Sequence, residues 1–166
     1  MARYRLPPDV KAAALSYVQG YKRRRIEYKK KYNDIINRGG ANYEVYIEKE
    51  KDENGKEIEV ECRHYPQRVS GAVGNPTERK ALELEMLSRD PDTERMRAVE
   101  MARDLIGDHI DSDEVRMALV NGIMKNCESG RVNPYEKLDL PTIGRNEFFD
   151  ERRRFLYHVA KYGKLI

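Results

Sequence analysis

Residues 133–161 read NPYEKLDLPTIGRNEFFDERRRFLYHVAK. Asn133-Pro134 predicts a short helix over 134–138, because asparagine caps well and proline lacks only an N–H that a first turn would orphan anyway. Asp139-Leu140-Pro141-Thr142-Ile143-Gly144 then reads as a turn with two apolar anchors. A last helix starts near Arg145 and runs to 161. At about 100° per residue, Phe148, Arg152, Phe155, Leu156 and Val159 gather on one side, with Phe149 at its margin. Asn146, Asp150, Arg153, Arg154, Tyr157 and Lys161 gather on the other. Together with an amphipathic helix over 112–127, this is the outline of a helix-turn-helix whose final helix leads with its N-terminal turn.

The same capping grammar runs upstream. Asn75-Pro76-Thr77-Glu78 and Asp90-Pro91 each pair a capping side chain with proline at the first helical position, and Asp111-Ser112-Asp113-Glu114 opens a helix without proline. Helices are therefore predicted over 76–88, 91–107 and 112–127. Pro7-Pro8-Asp9 opens the first element, whose stripe Ala14, Val18, Tyr21, Arg25, Tyr28, Tyr32 and Ile35 predicts one helix of roughly 28 residues, stopped by Gly39-Gly40. Its tyrosine-rich seam suits a helix laid on another element or a loose dimer arm better than a tight coiled coil. Residues 43–63 change period: Tyr43, Val45, Ile47 and Ile58, Val60, Cys62 alternate with polar residues around Asn54-Gly55, predicting a small acidic β-hairpin. The expected fold is mainly α: a long N-terminal helix, a small β-hairpin, a helical middle and a C-terminal helix-turn-helix. The expected domains are a basic arm plus hairpin over 1–63, loop and central helices over 64–110, and the DNA-binding domain over 111–166.

The 166 residues are 37% charged and 39% hydrophobic, with a net charge of +3. That small total hides segregation. Residues 1–38 carry eleven Lys/Arg against three Asp/Glu, residues 44–62 carry three against eight, and residues 145–166 carry six against three. Local sign matters more than the total when a polyanion is the partner. No run approaches the roughly 18 apolar residues of a membrane span. MARYRLPPDV lacks the apolar core of a signal peptide, and Cys62 and Cys127 form no CxxC pair, so a reducing cytoplasm is the expected compartment and no membrane is expected.

A helix that reads a duplex needs hydrogen-bonding groups for base edges and cations for phosphates. Arg145 and Asn146 occupy the leading turn, with Thr142 just ahead of it. Asp150 can accept from a cytosine amine or pair with Arg153 or Arg154. Arg153, Arg154, Tyr157 and Lys161 follow on the outer face. Along the N-terminal helix, Lys22, Arg23, Arg24, Lys29 and Lys30 are candidate phosphate contacts, or simply the solvated face of an exposed helix. Glu147 suits a capping role, and Arg152 is expected to face inward.

The C-terminal stretch resembles phage-encoded, sigma-like transcriptional regulators of the RinA/ArpU-like group. Leu140, Pro141, Ile143, Gly144, Arg145, Phe148, Phe149, Arg152, Phe155, Val159 and Ala160 meet that group's pattern. SGAVGNPTERKALEL, residues 70–84, resembles a second segment of the group. Together the two segments cover about a third of the chain. It implies a domain similar to the −35-reading domain of sigma factors, binding double-stranded DNA to control phage late genes, with bacterial RNA polymerase as partner. The short scaffold helix and the acidic hairpin depart from the pattern. The alternative is a phage-encoded protein-interaction module, an adaptor or inhibitor of a host protein.

Enzyme chemistry is not expected. His64, His109 and His158 have no HExxH or HxH spacing, and no P-loop, GxGxxG or GxSxG occurs. The cluster GDHIDSDE over 107–114 lacks EF-hand spacing and is explained by helix capping. Neither a cofactor nor a metal is expected.

Overall fold

A computed structural model describes residues 4–37, 44–51, 57–64, 76–129, 132–140 and 142–166. Six helices dominate: α1 (Pro8–Gln19), α2 (Tyr21–Asn37), α3 (Pro76–Ser88), α4 (Pro91–Arg103), α5 (Asp113–Ser129) and α6 (Arg145–Tyr162). Two strands, β1 (Glu44–Lys51) and β2 (Glu57–His64), pair antiparallel from Glu44 opposite His64 to Lys51 opposite Glu57. The mainly α expectation holds. Asn54-Gly55, Gly39-Gly40, the loop 65–75 and the Asn75 cap lie outside the described residues. Among the described residues no helix is long and apolar enough to cross a membrane.

Contacts divide the chain into two units, one of residues 1–28 with 88–166 and one of residues 29–87. The sequence reading cuts the chain linearly at 63 and 110 instead, because no local signal reports that α1 and α6 pack together. In the first unit, α6 lies chiefly against α4 and α1, and α1 also packs on α5. The shared core holds Val18, Val99, Ile106, Leu119, Ile123, Phe148, Phe155, Leu156 and Val159, each nearly or wholly buried. At about 1.5–3 kcal/mol per buried large side chain, this cluster is the main favourable term of the unit. In the second unit, Ile35 of α2 and Leu87 of α3 are buried, and Lys80 Nζ donates to the Ile36 carbonyl at 2.8 Å.

The single N-terminal helix of the sequence reading is two helices, broken at Gly20. Backbone bonds still run from Gly20 N to Ser16 O at 3.1 Å and from Arg24 N to Gly20 O at 3.1 Å, so the break is slight. Its cause is Arg24. This side chain is 8% exposed, and a Cβ on Gly20 would stand 2.6 Å from its Nη1. Arg24 Nε donates to Asp92 Oδ1 at 3.0 Å, and Nη1 donates to the Tyr17 carbonyl at 3.0 Å. The inward cation is thus Arg24, whereas the stripe taken in steps of four and three placed Arg25 there. A step of three from Tyr21 reaches the same helix face as a step of four, so period alone cannot choose between them.

Asp90 caps α4, its carboxylate accepting from Asp92 N at 2.9 Å. That helix ends at Arg103, short of the predicted 107, and Gly107 beyond it has a φ of 62°, a conformation that glycine adopts cheaply. The predicted helix over 134–138 is a single 3-10 turn, Tyr135–Lys137. Both predicted anchors of the following turn are buried, Leu140 at 8% and Ile143 at 3% exposure.

Candidate nucleic-acid interface

The connection between α5 and α6 is pinned to the start of α6. The Tyr135 ring lies 5.3 Å from that of Phe148, and its hydroxyl donates to the Ile143 carbonyl. Asn126 Nδ2 donates to the Asn133 carbonyl at 2.8 Å, tying the connection to α5 as well. Gly144 is the N-cap of α6, with no side-chain cap bond, so Glu147 does not serve as the predicted cap. Phe148 N donates to the Gly144 carbonyl at 2.9 Å.

From this base α6 presents two faces. Phe148, Glu151, Phe155, Leu156, Val159 and Ala160 are buried. Thr142, Arg145, Asn146, Asp150, Arg153 and Lys161 are exposed. The aromatic side of the wheel is therefore inward and the polar side outward, as its spacing predicts. The arginines nevertheless carry acids. Arg145 Nη1 stands 3.3 Å from Glu136 Oε1, with its guanidinium carbon 5.8 Å from the Phe149 ring centre. Arg153 pairs with Asp150 one turn earlier.

Two predicted contacts are corrected. Arg154 lies at the edge of the outer face, over the loop that follows α4. Its guanidinium grips Asp108 at two points, 2.7 and 2.6 Å, and Nη1 stands 3.4 Å from Glu151 Oε1. The pair holds the Asp108 carboxyl down to about 2 from an ordinary 3.8, through the Arg154 hydrogen bonds first. An arginine so engaged is a structural clamp. Tyr157 is half-buried, its ring 5.4 Å from that of Tyr4 and edge-on to it.

Glu151 escaped the sequence reading. It is 8% exposed and accepts from the Gly107 N–H at 3.0 Å, fastening the loop after α4 to the last helix. Arg116 of α5 closes the same loop, donating to the Ile106 and Asp104 carbonyls at 3.0 and 2.7 Å. The only trace of this in the sequence is an acid beside the aromatic stripe, which reads equally well as a solvated residue.

The cations of α2 divide similarly. Arg24 is buried on Asp92, which removes it from the predicted phosphate contacts. Lys22 Nζ donates to Glu128 Oε2 at 2.7 Å while remaining largely exposed. Arg23, Lys29 and Lys30 are exposed and join no ion pair among the described residues.

The remaining titratable groups are scattered. His109 stands 3.6 Å from Asp108 and 3.8 Å from Glu147. His158 sits between aromatic rings, 5.8 Å from Tyr162 and 6.2 Å from Tyr4, and its buried Nδ1 has no partner. Burial lowers its pKa from 6.5, and the Arg154 charge lowers it further. Cys127 is fully buried, which pushes its thiol up, away from the thiolate. Among the described residues no group of three or more His, Cys, Asp or Glu is placed to hold a metal ion.

No family model matches the chain, and neither a curated protein nor a solved structure matches it.

Proposed function

We propose that the chain is a sequence-specific double-stranded-DNA-binding regulator of phage or prophage transcription, working in the bacterial cytoplasm with RNA polymerase as partner and without catalysis. In this reading α5, its connection and α6 act as a helix-turn-helix, and α6 enters the major groove. The observation that carries the reading is the outward strip of α6. Asn146, Asp150, Arg153 and Lys161 lie exposed along it, behind an uncapped leading turn bearing Arg145. Asparagine reads adenine bidentately and arginine reads guanine. The phage setting, the sigma-like role and the polymerase rest on the resemblance of residues 140–160.

The test is selection of the full-length chain against a random duplex library. One sequence class is expected to enrich. Asn146→Ala should then lose about 5- to 100-fold of its preference for that sequence over random duplex, the worth of one good base contact. Arg154→Gln should alter stability and leave that preference in place. An Asn146→Ala protein that selects like wild type would falsify the assignment of the face.

A second reading has its own support. All three outer arginines of α6 already face carboxylates, Arg145 with Glu136, Arg153 with Asp150 and Arg154 with Asp108. A face of mixed sign suits a protein partner. Failure of any duplex sequence to enrich, with a host protein bound stoichiometrically through the same α6 residues, favours this adaptor or inhibitor.

A further inference from the structure

The cations of the chain are unequally neutralised. Most of those on α4 and α6 are matched: Arg95 with Asp92, Arg103 with Asp104, Arg145 with Glu136, Arg153 with Asp150 and Arg154 with Asp108. On α2 the exposed Arg23, Arg25, Lys29 and Lys30 join no ion pair among the described residues. At about 100° per residue these four share one side of the helix with Lys22, within an arc of about 160°. The two acids of α2, Glu27 and Asp34, fall beyond that arc, and the inward positions are taken by Tyr21, Arg24 and Ile35. Along the axis the cations extend for roughly 10 Å, which matches about three phosphates of one DNA strand.

We infer that this side of α2 is a phosphate-binding surface for duplex DNA, supplying the sequence-independent part of the affinity while α6 supplies selection. The inference rests on the proposed function for its choice of duplex. It assigns to α2 the electrostatic work that the paired arginines of α6 are poorly placed to do. Arg25, outside the sequence prediction for phosphate contacts, belongs to the surface, and the buried Arg24 does not. A carboxylate-paired arginine must first give up its partner before it neutralises a phosphate, whereas Arg23, Arg25, Lys29 and Lys30 bind without that exchange.

A lipid surface is the competing polyanion, and the apolar side chains argue against it. An interfacial helix needs a continuous apolar face opposite its charges. On α2 the buried Tyr21 and Ile35 are spent inward, and the exposed Ile26 at 69%, Tyr32 at 41% and Ile36 at 39% fall on or beside the cationic side instead of opposite it.

The experiment is fluorescence anisotropy of the full-length chain on a 30-base-pair random-sequence duplex (about 30, three turns of B-DNA) between 50 and 200 mM salt, about the range over which counterion release is read. Arg23→Gln/Arg25→Gln/Lys29→Gln/Lys30→Gln is compared with wild type. A control, Lys11→Gln/Arg97→Gln/Lys125→Gln/Lys137→Gln, removes the same charge from exposed positions elsewhere. Circular dichroism confirms that both remain helical, and Arg23→Lys/Arg25→Lys tests whether charge suffices. Wild-type affinity is expected to fall about 40-fold more across that range than affinity of the α2 variant, with the control and the lysine variant like wild type. Equal salt dependence in wild type and the α2 variant overturns the inference and leaves the α6 reading standing. An equal loss in the control also overturns it, because net charge alone then explains the effect. Tighter α2-dependent binding to phosphatidylserine vesicles than to duplex overturns it in favour of a membrane. Salt-dependent duplex binding through α2 with no sequence enriched by selection supports the inference and overturns the proposed function alone.

Discussion

Asp108 and Arg154 meet across two hydrogen bonds, and the pair sets how the fold responds to acid. The folded carboxyl titrates at about 2 instead of 3.8, so between those values the unfolded chain binds the extra proton. Stability from this pair is therefore present above pH 3.8 and is lost as the pH falls towards 2. Both side chains keep some solvent contact, which screens the gain. His158 acts in a higher window with the same sense. Its folded pKa is lowered from 6.5 by burial and by Arg154, so protonation favours the unfolded chain as the pH drops below 6.5. We expect urea midpoints measured between pH 7.5 and pH 2.5 to decline in two stages. Asp108→Asn should flatten the lower stage and His158→Phe the upper. A midpoint that stays level from pH 6.5 to 5 in wild type would contradict the His158 assignment. Neither pair partner was legible beforehand, since a contact between positions 108 and 154 leaves no mark in local periodicity.

Among elements, the end of α6 carries an unusual residue. The Leu165 N–H donates to the Ala160 carbonyl at 2.8 Å and the Lys164 N–H to the Lys161 carbonyl at 3.2 Å, the two bonds of a Schellman cap. Lys164 holds the left-handed position of that cap with a φ of 55°, where glycine is the usual residue. Its pairing with Glu94 at 3.6 Å is on the surface and offsets little. Lys164→Gly should stabilise the chain by about 1 kcal/mol, read as a higher thermal midpoint, because a side chain there crowds its own carbonyl. An unchanged or lower midpoint would mean that the lysine conformation carries no strain. Most element starts were legible in the sequence: Pro8, Pro91, Asp113 and Arg145 follow from proline placement, capping residues and hydrophobic period. Less legible were the break at Gly20, against which the Arg24 guanidinium packs from one turn on, and the end of α4 at Arg103, where Glu151 and Arg116 hold the loop that follows.

At the scale of the molecule, α1, α4, α5 and α6 share one core, and Phe155 is 1% exposed within it. Phe155→Ala should cost about 3–5 kcal/mol, and far-ultraviolet and tyrosine near-ultraviolet signals should be lost together on heating. Loss of the tyrosine signal well before the helical one would indicate that the four helices do not melt as one body. The face of α6 inherits its orientation from this core. Phe148, Phe155, Leu156 and Val159 stand on one side because their spacing follows the helical period, and burial turns that side inward. By itself, then, the sequence determined the helical class, most helix starts, the two anchors Leu140 and Ile143, and which side of the last helix is polar. All of these follow from propensity, capping and period, which act over a few residues. The tertiary structure alone decided which of the many cations are spent on the fold. Arg24 and Arg154 are held by Asp92 and Asp108 while Arg23, Arg25, Lys29 and Lys30 remain unpaired among the described residues. The reason is that an ion pair depends on distance in space, and positions 68 or 46 residues apart along the chain become neighbours only when the core brings their helices together.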